Sequence, residues 1–192
     1  MPPKAKFTKK EIIAAAFEIV RLSGFDALTA RSLADKLGSS PRPIFTVFSC
    51  MEEVQEEVKT AARKLYEQYE DEEMCGEKPF RGSGIGYIRF SAEQPKLFQL
   101  LFMREINAVP NLDTVLSVID DYYEKIIDSI RTGYGFSNET AKEIYLHMWI
   151  YSHGIATLLA TKVCTFSREE ISDMLTNVGT SIIRKYKTEG KQ

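Results

Sequence analysis

Residues 29–54 read TARSLADKLGSSPRPIFTVFSCMEEV, and the order of residue types in them decides the architecture. Thr29 has the side chain of a natural helix N-cap. Leu33, Ala34 and Leu37 recur at helical spacing, so a short helix from Thr29 to Leu37 turns them inward. Gly38 stops that helix. Ser39 and Ser40 lead into Pro41, and proline is tolerated at a first helical position. The spacing predicts a third helix from there to about Phe48, with Ile44, Val47 and Phe48 apolar. Upstream, Thr8 and Glu11 form a capping box, and Ile12, Ile13, Ala16, Phe17 and Val20 make one apolar stripe. Gly24 is placed to end this first helix in the left-handed conformation. Residues 8–48 thus hold three short helices, the last two parted by a tight Gly-Ser-Ser turn, with the helix-turn-helix at about 29–48. That is the plan of a DNA-binding module.

Helical signals continue to the end of the chain, with no convincing hairpin or strand-helix-strand pattern. Ser49 and Glu52 make a second capping box ahead of a long acidic helix at about 50–74. Pro79 opens a helix to about Glu93, Pro95 one from Lys96 to Met103, and Pro110 one to Arg131, closed by Gly133 and Gly135. Ser137 caps a helix to about Val163, and Ser167 with Glu170 caps the last, to about Lys187. The expected fold is all-α with about nine helices. It divides into a DNA-binding domain, 1–49, and a larger ligand-binding and dimerisation domain, 50–192.

Charge follows the same division. Residues 1–50 carry eight basic side chains against four acidic ones, within a chain of net charge −2, so the remainder is markedly acidic. A basic end on an acidic protein points to a polyanionic partner for that end alone. With helices one and two burying the inner face of the third, Arg42, Pro43, Phe45 and Thr46 stand on its free face. Arginine can fork onto guanine, threonine can hydrogen-bond or touch a thymine methyl, and an aromatic edge packs on sugar or methyl groups. Hydroxyls at Thr29, Ser39 and Ser40 suit phosphate oxygens, and an arm with Lys4, Lys6, Lys9 and Lys10 adds charge nearby.

Residues 29–54 resemble the DNA-binding signature of the tetracycline-repressor (TetR) family of bacterial regulators; Ala34, Leu37, Gly38, Phe45, Phe48 and Val54 fit its pattern. The segment MWIYSHGIATLL, residues 148–159, resembles a Trp-x-x-x-His-Gly motif of one C-terminal subgroup. The resemblance implies an all-helical homodimer of about nine helices that dimerises through its last two. Two positions depart from the family. Phe45 stands where a tyrosine hydroxyl usually reaches phosphate, and Met51 where a lysine is usual. Both departures bear on the phosphate clamp and leave open a protein-interaction or sensory module with weakened DNA binding.

Helix nine carries Met174, Val178 and Ile182 on one apolar stripe, and helix eight is apolar nearly all round, with Ile150, Gly154 and Thr157 among its residues. Burial within one chain accounts for such faces; a two-fold bundle with a second copy is the preferred reading. Aromatics crowd the middle of the chain. Core packing explains any single one, and a ligand cavity lined by Phe90, Phe98, Phe102, Tyr123, Trp149 and His153 is the sharper reading. Such a site takes an apolar or aromatic small-molecule effector. His147 and His153, six apart, make a poor metal pair. Arg81-Gly82-Ser83-Gly84-Ile85-Gly86 follows no strand and lacks the dinucleotide spacing, so it reads as a loosened helix start. No nucleophile elbow, paired carboxylates in an apolar setting, or metal cluster is visible, so no catalytic residue, metal or cofactor is expected and an all-helical enzyme is the lesser alternative. Cys50, Cys75 and Cys164 form no metal or redox pair. With no signal-like apolar run and no membrane-length segment, the expected location is the cytoplasm.

Overall fold

The computed structural model describes residues 6–76, 79–105, 110–111, 114–120 and 122–189; Lys4 of the basic arm lies outside them. Among the described residues it is all-helical, with nine α-helices, two 3-10 turns and no strand. Packing separates the chain into two compact units. Among the described residues, the first holds residues 6–67 with 94–104, and the second holds 68–93 with the rest from 105 onward. The division by packing runs through a helix, whereas the sequence places the functional boundary at 49/50.

In the first unit, α1 (Lys9–Ser23) starts at the expected capping box. Glu11 N–H donates to the Thr8 hydroxyl at 3.2 Å, and Thr8 N–H donates to the Glu11 carboxylate at 2.8 Å. Ile12, Ala16 and Val20, each four residues on, form its buried stripe. Gly24 ends it with positive φ, but at φ 90° and ψ 169° rather than in the expected left-handed helical conformation. A short 3-10 turn, Phe25–Ala27, leads to Thr29, which caps α2 (Ala30–Lys36). Ser32 replaces the usual acidic member of that capping box. Gly38 at φ 60° closes α2: its N–H reaches the Asp35 carbonyl at 3.1 Å, and Ser39 N–H reaches Ala34 at 2.9 Å. These two bonds satisfy carbonyls that the helix end would otherwise leave open.

The expected third helix is not an α-helix. Only Ile44–Thr46 is regular, as a 3-10 turn, held by Ile44 N–H to Pro41 at 3.0 Å, Thr46 N–H to Pro43 at 3.3 Å and Val47 N–H to Ile44 at 3.0 Å. Pro41 and Pro43 explain it. Each disfavours the α conformation at the residue before it, Ser40 and Arg42, and neither has an N–H to give. Eight residues with two such positions cannot propagate a second turn.

The helix α3 (Met51–Met74) begins at Met51, and the box expected from Ser49 and Glu52 does not form. Ser49 N–H donates instead to Glu53 at 2.7 Å. The reason is register: starting at Met51 makes Glu53 the third helical residue, the position from which a carboxylate reaches back. Val54, Val58 and Ala62 are its buried stripe in this unit. The helix α5 (Pro95–Phe102) packs on α1, with Leu97 and Phe98 fully buried.

In the second unit, α4 (Pro79–Glu93) and α8 (Asn138–Ala160) pack along each other, flanked by α7 (Tyr123–Tyr134) and α9 (Arg168–Glu189). The Gly-rich start of α4 is not loosened. A β-carbon on Gly82 would stand 2.7 Å from the Glu73 carbonyl carbon, and one on Gly86 2.8 Å from the Tyr69 carbonyl oxygen, both on the end of α3. These glycines let α4 lie directly against the backbone of α3. The single helix expected from Pro110 to Arg131 is also two: α6 (Val115–Ile119) and α7, broken at Asp120. Asp120 is extended, and its carboxylate accepts the Tyr122 N–H at 2.8 Å, the local bond by which aspartate competes with helix. Ser137 caps α8, and Ser167 with Glu170 forms the expected box before α9.

Candidate nucleic-acid interface

The 3-10 turn turns some side chains out and others in, in spite of the changed helix type, but Pro43, expected on the free face, and Val47, expected among the apolar inner residues, are neither fully exposed nor fully buried. Ile44 and Phe48 are buried, while Arg42 and Thr46 are exposed and Phe45 is 44% exposed. Pro43 and Val47 are half-buried. The buried pair anchors the turn; the outward three face solvent. Thr29 and Ser40 are exposed, and Ser39 is half-buried.

Two of the arm residues, Lys6 and Lys9, are engaged within the same unit. Lys6 donates to the Ser39 hydroxyl at 3.1 Å. Lys9 pairs with Glu57 and lies 5.7 Å from the Phe48 ring centre. Lys6 is thus tied to the turn itself, whereas Lys9 braces α1 against α3. Arg31 and Lys36 are exposed on α2, adding positive charge that the sequence reading counts only in bulk. The first turn of α3 carries the opposite sign, Glu52 and Glu53. The Glu52 backbone N–H, and then the Cys50 side chain, hold the Glu52 carboxyl below its ordinary range, so it is ionised at neutral pH.

The aromatic residues expected to line one cavity divide between the units. Phe98 and Phe102 belong to the first, where Phe102 packs edge-on to Tyr66 with ring centres 5.0 Å apart. Phe90, Tyr123, Trp149 and His153 belong to the second. Sequence spacing gives apolar faces but not the unit that covers them.

Within the second unit, the Tyr87 hydroxyl lies 2.8 Å from His153 Nδ1, and Trp149 stacks on the imidazole with centres 5.0 Å apart. Burial, then the charges of Asp120 and Glu70, push the Tyr87 hydroxyl above its ordinary range; it stays protonated and can donate to a neutral imidazole. The Asp120 carboxylate accepts from the Tyr145 hydroxyl. Burial also holds His153 below its ordinary 6.5. In the unfolded chain this histidine takes up a proton that the folded one refuses, so stability falls as pH drops from about 6.5 through the lower folded value. The expected result is a urea midpoint lower at pH 5.5 than at pH 7.5, with the difference reduced in His153→Gln. The carboxyls held low, Glu11, Glu139 and Glu170 among them, act in a separate window below 4.5. An equal midpoint shift in the variant would remove His153 as the cause.

On the expected dimer face, Ile150 is 52% exposed, Gly154 is exposed, and Thr157, Met174, Val178 and Ile182 are half-buried. Among the described residues no cluster of His, Cys, Asp or Glu is placed to hold a metal, and no helix is long and apolar enough to cross a membrane.

Over 186 residues the chain is 23% identical to YobS of Bacillus subtilis (strain 168), named as an uncharacterized HTH-type transcriptional regulator; the match covers 95% of this chain and 92% of that protein. This similarity supports a transcription regulator. It spans both units, not the turn alone. No family model matches the chain, and no solved structure does.

Proposed function

We propose that the protein is a TetR-like, ligand-responsive regulator that binds a palindromic double-stranded DNA operator as a homodimer, represses, and is released by an apolar or aromatic effector. The observation that carries this is the outward trio Arg42, Phe45 and Thr46, set on a turn anchored by Ile44 and Phe48 in the positively charged end of the chain. A dimer presents two such turns to successive major grooves, about one helical turn apart. The helix α3 is one uninterrupted path from the unit of the turn to the unit of Trp149, and it would carry the effector's signal.

Selection from random duplexes by the purified protein tests the reading. The expected product is a palindrome with half-sites about one turn apart. Arg42→Ala then relaxes preference at one position per half-site by ~1–3 kcal/mol. A uniform loss over all sequences would reassign Arg42 to phosphate. Enrichment of no duplex would favour the second reading, a protein-interaction or sensory module. Ionised Glu52 beside Met51, where the family usually places lysine, is the observation on its side.

A further inference from the structure

The recognition turn leaves few groups able to read a base. Three i→i+3 bonds hold this segment: Ile44 N–H to Pro41, Thr46 N–H to Pro43 and Val47 N–H to Ile44. Arg42, Phe45 and Thr46 are its exposed side chains, and Pro43 is half-buried. The Thr46 hydroxyl has one proton, and it is already given to the Pro43 carbonyl at 2.7 Å. That bond spends the only donor of the hydroxyl on the turn itself, so toward a base Thr46 offers its γ-methyl and no donor. Phe45, 44% exposed, has no polar atom at all. Proline at 43 contributes neither donor nor acceptor in its side chain. Beside the five-donor guanidinium of Arg42, the outward Phe45 and Thr46 have no hydrogen-bond donor left for a base.

Resting on the DNA-binding reading above, we infer that Phe45 and Thr46 read thymine 5-methyl groups by apolar contact, next to the guanine taken by Arg42, and that Thr46 acts through its methyl rather than its hydroxyl. Three residues of 3-10 turn rise about 6 Å, under two base-pair steps, so the methyl-dependent positions lie within about two base pairs of that guanine. The half-site is therefore a guanine flanked closely by thymine, and not a run of G·C pairs.

The experiment changes the DNA first, so that protein folding does not enter. Each thymine of the selected operator is replaced by deoxyuridine, which loses the methyl and keeps the pairing. Binding is expected to weaken about fourfold at one or two positions per half-site, the worth of one buried methyl group each, and to be unchanged elsewhere. Thr46→Val keeps a methyl in the same place and retains both affinity and uridine sensitivity. Thr46→Ser keeps the hydroxyl, loses about fourfold on the thymine operator, and no longer distinguishes uridine at its position. Phe45→Ala loses the sensitivity at the neighbouring position. Urea midpoints of the variants separate a loosened turn from a lost contact. Uridine tolerated throughout, or Thr46→Ser binding like the parent while Thr46→Val fails, overturns the inference and leaves the regulator reading standing. If no duplex is selected, that reading falls and the inference with it.

Discussion

Gly82→Ala is expected to destabilise the protein by about 2 kcal/mol. The added methyl would lie 2.7 Å from the Glu73 carbonyl carbon and 3.1 Å from the Met74 Cα, and closer still to the Glu73 oxygen. All three are backbone atoms, so no side-chain rotation relieves the clash; α4 must move off the end of α3. Overpacking of this kind costs about 3 kcal/mol at the upper end of its usual range. Alanine's better helix propensity returns about 1 kcal/mol. The same substitution at Gly133, near the end of α7, is the control. It meets nothing within 4 Å, so only the propensity gain remains. Urea denaturation of the two variants should therefore move in opposite directions. Parental stability in Gly82→Ala would mean that α4 and the end of α3 are not in direct backbone contact.

Gly82 also marks what the sequence does not reveal. Glycine inside a helical pattern reads locally as a weakness, and residues 81–86 invite that reading. Its use is tertiary, a backbone approached by another backbone, and no local pattern encodes it. Thr8 with Glu11 and Ser167 with Glu170 are the opposite case. Both partners lie within four residues, so the bonds that start α1 and α9 are written in the spacing itself. The segment 41–48 lies between these extremes. The alternation of outward Arg42, Phe45 and Thr46 with inward Ile44 and Phe48 is legible, because burial is set by which residues are apolar. The helix type is not, until the conformational limits of Ser40 and Arg42, each ahead of a proline, are weighed together. Nine helices were expected and nine α-helices are present among the described residues, but they are not the same nine. One is lost to the 3-10 turn, and another is gained where Asp120 breaks α6 from α7. Phe98 and Phe102 show a third limit: an apolar stripe on α5 states that it will be covered, not that α1 will cover it.

If the protein is the operator-binding dimer proposed above, Gly154→Leu is expected to leave the chain folded, give a monomer, and lower operator affinity more than about tenfold, as one of two half-site contacts is lost. The argument begins with empty space. A β-carbon on Gly154 meets nothing within 4 Å, so the single chain accommodates a larger residue. Leucine in place of glycine inside a helix gains up to about 1 kcal/mol in propensity, and α8 should become more stable by itself. Gly154 nevertheless sits between Ile150, 52% exposed, and Leu158, 38% exposed, at four-residue spacing on one stripe of α8. An exposed apolar stripe with a glycine at its middle allows a second helix to approach closely at that point. On the dimer reading, that helix is the α8 of a second copy, and the leucine side chain occupies the room its backbone needs. Sedimentation equilibrium reads the change in mass, and far-UV circular dichroism reads the retained helix. Because the substitution is benign within the chain, a loss of mass cannot be blamed on unfolding. A Gly154→Leu protein that still sediments as a dimer would move the contact away from this face of α8, and undiminished operator binding by a monomer would remove the need for a dimer altogether.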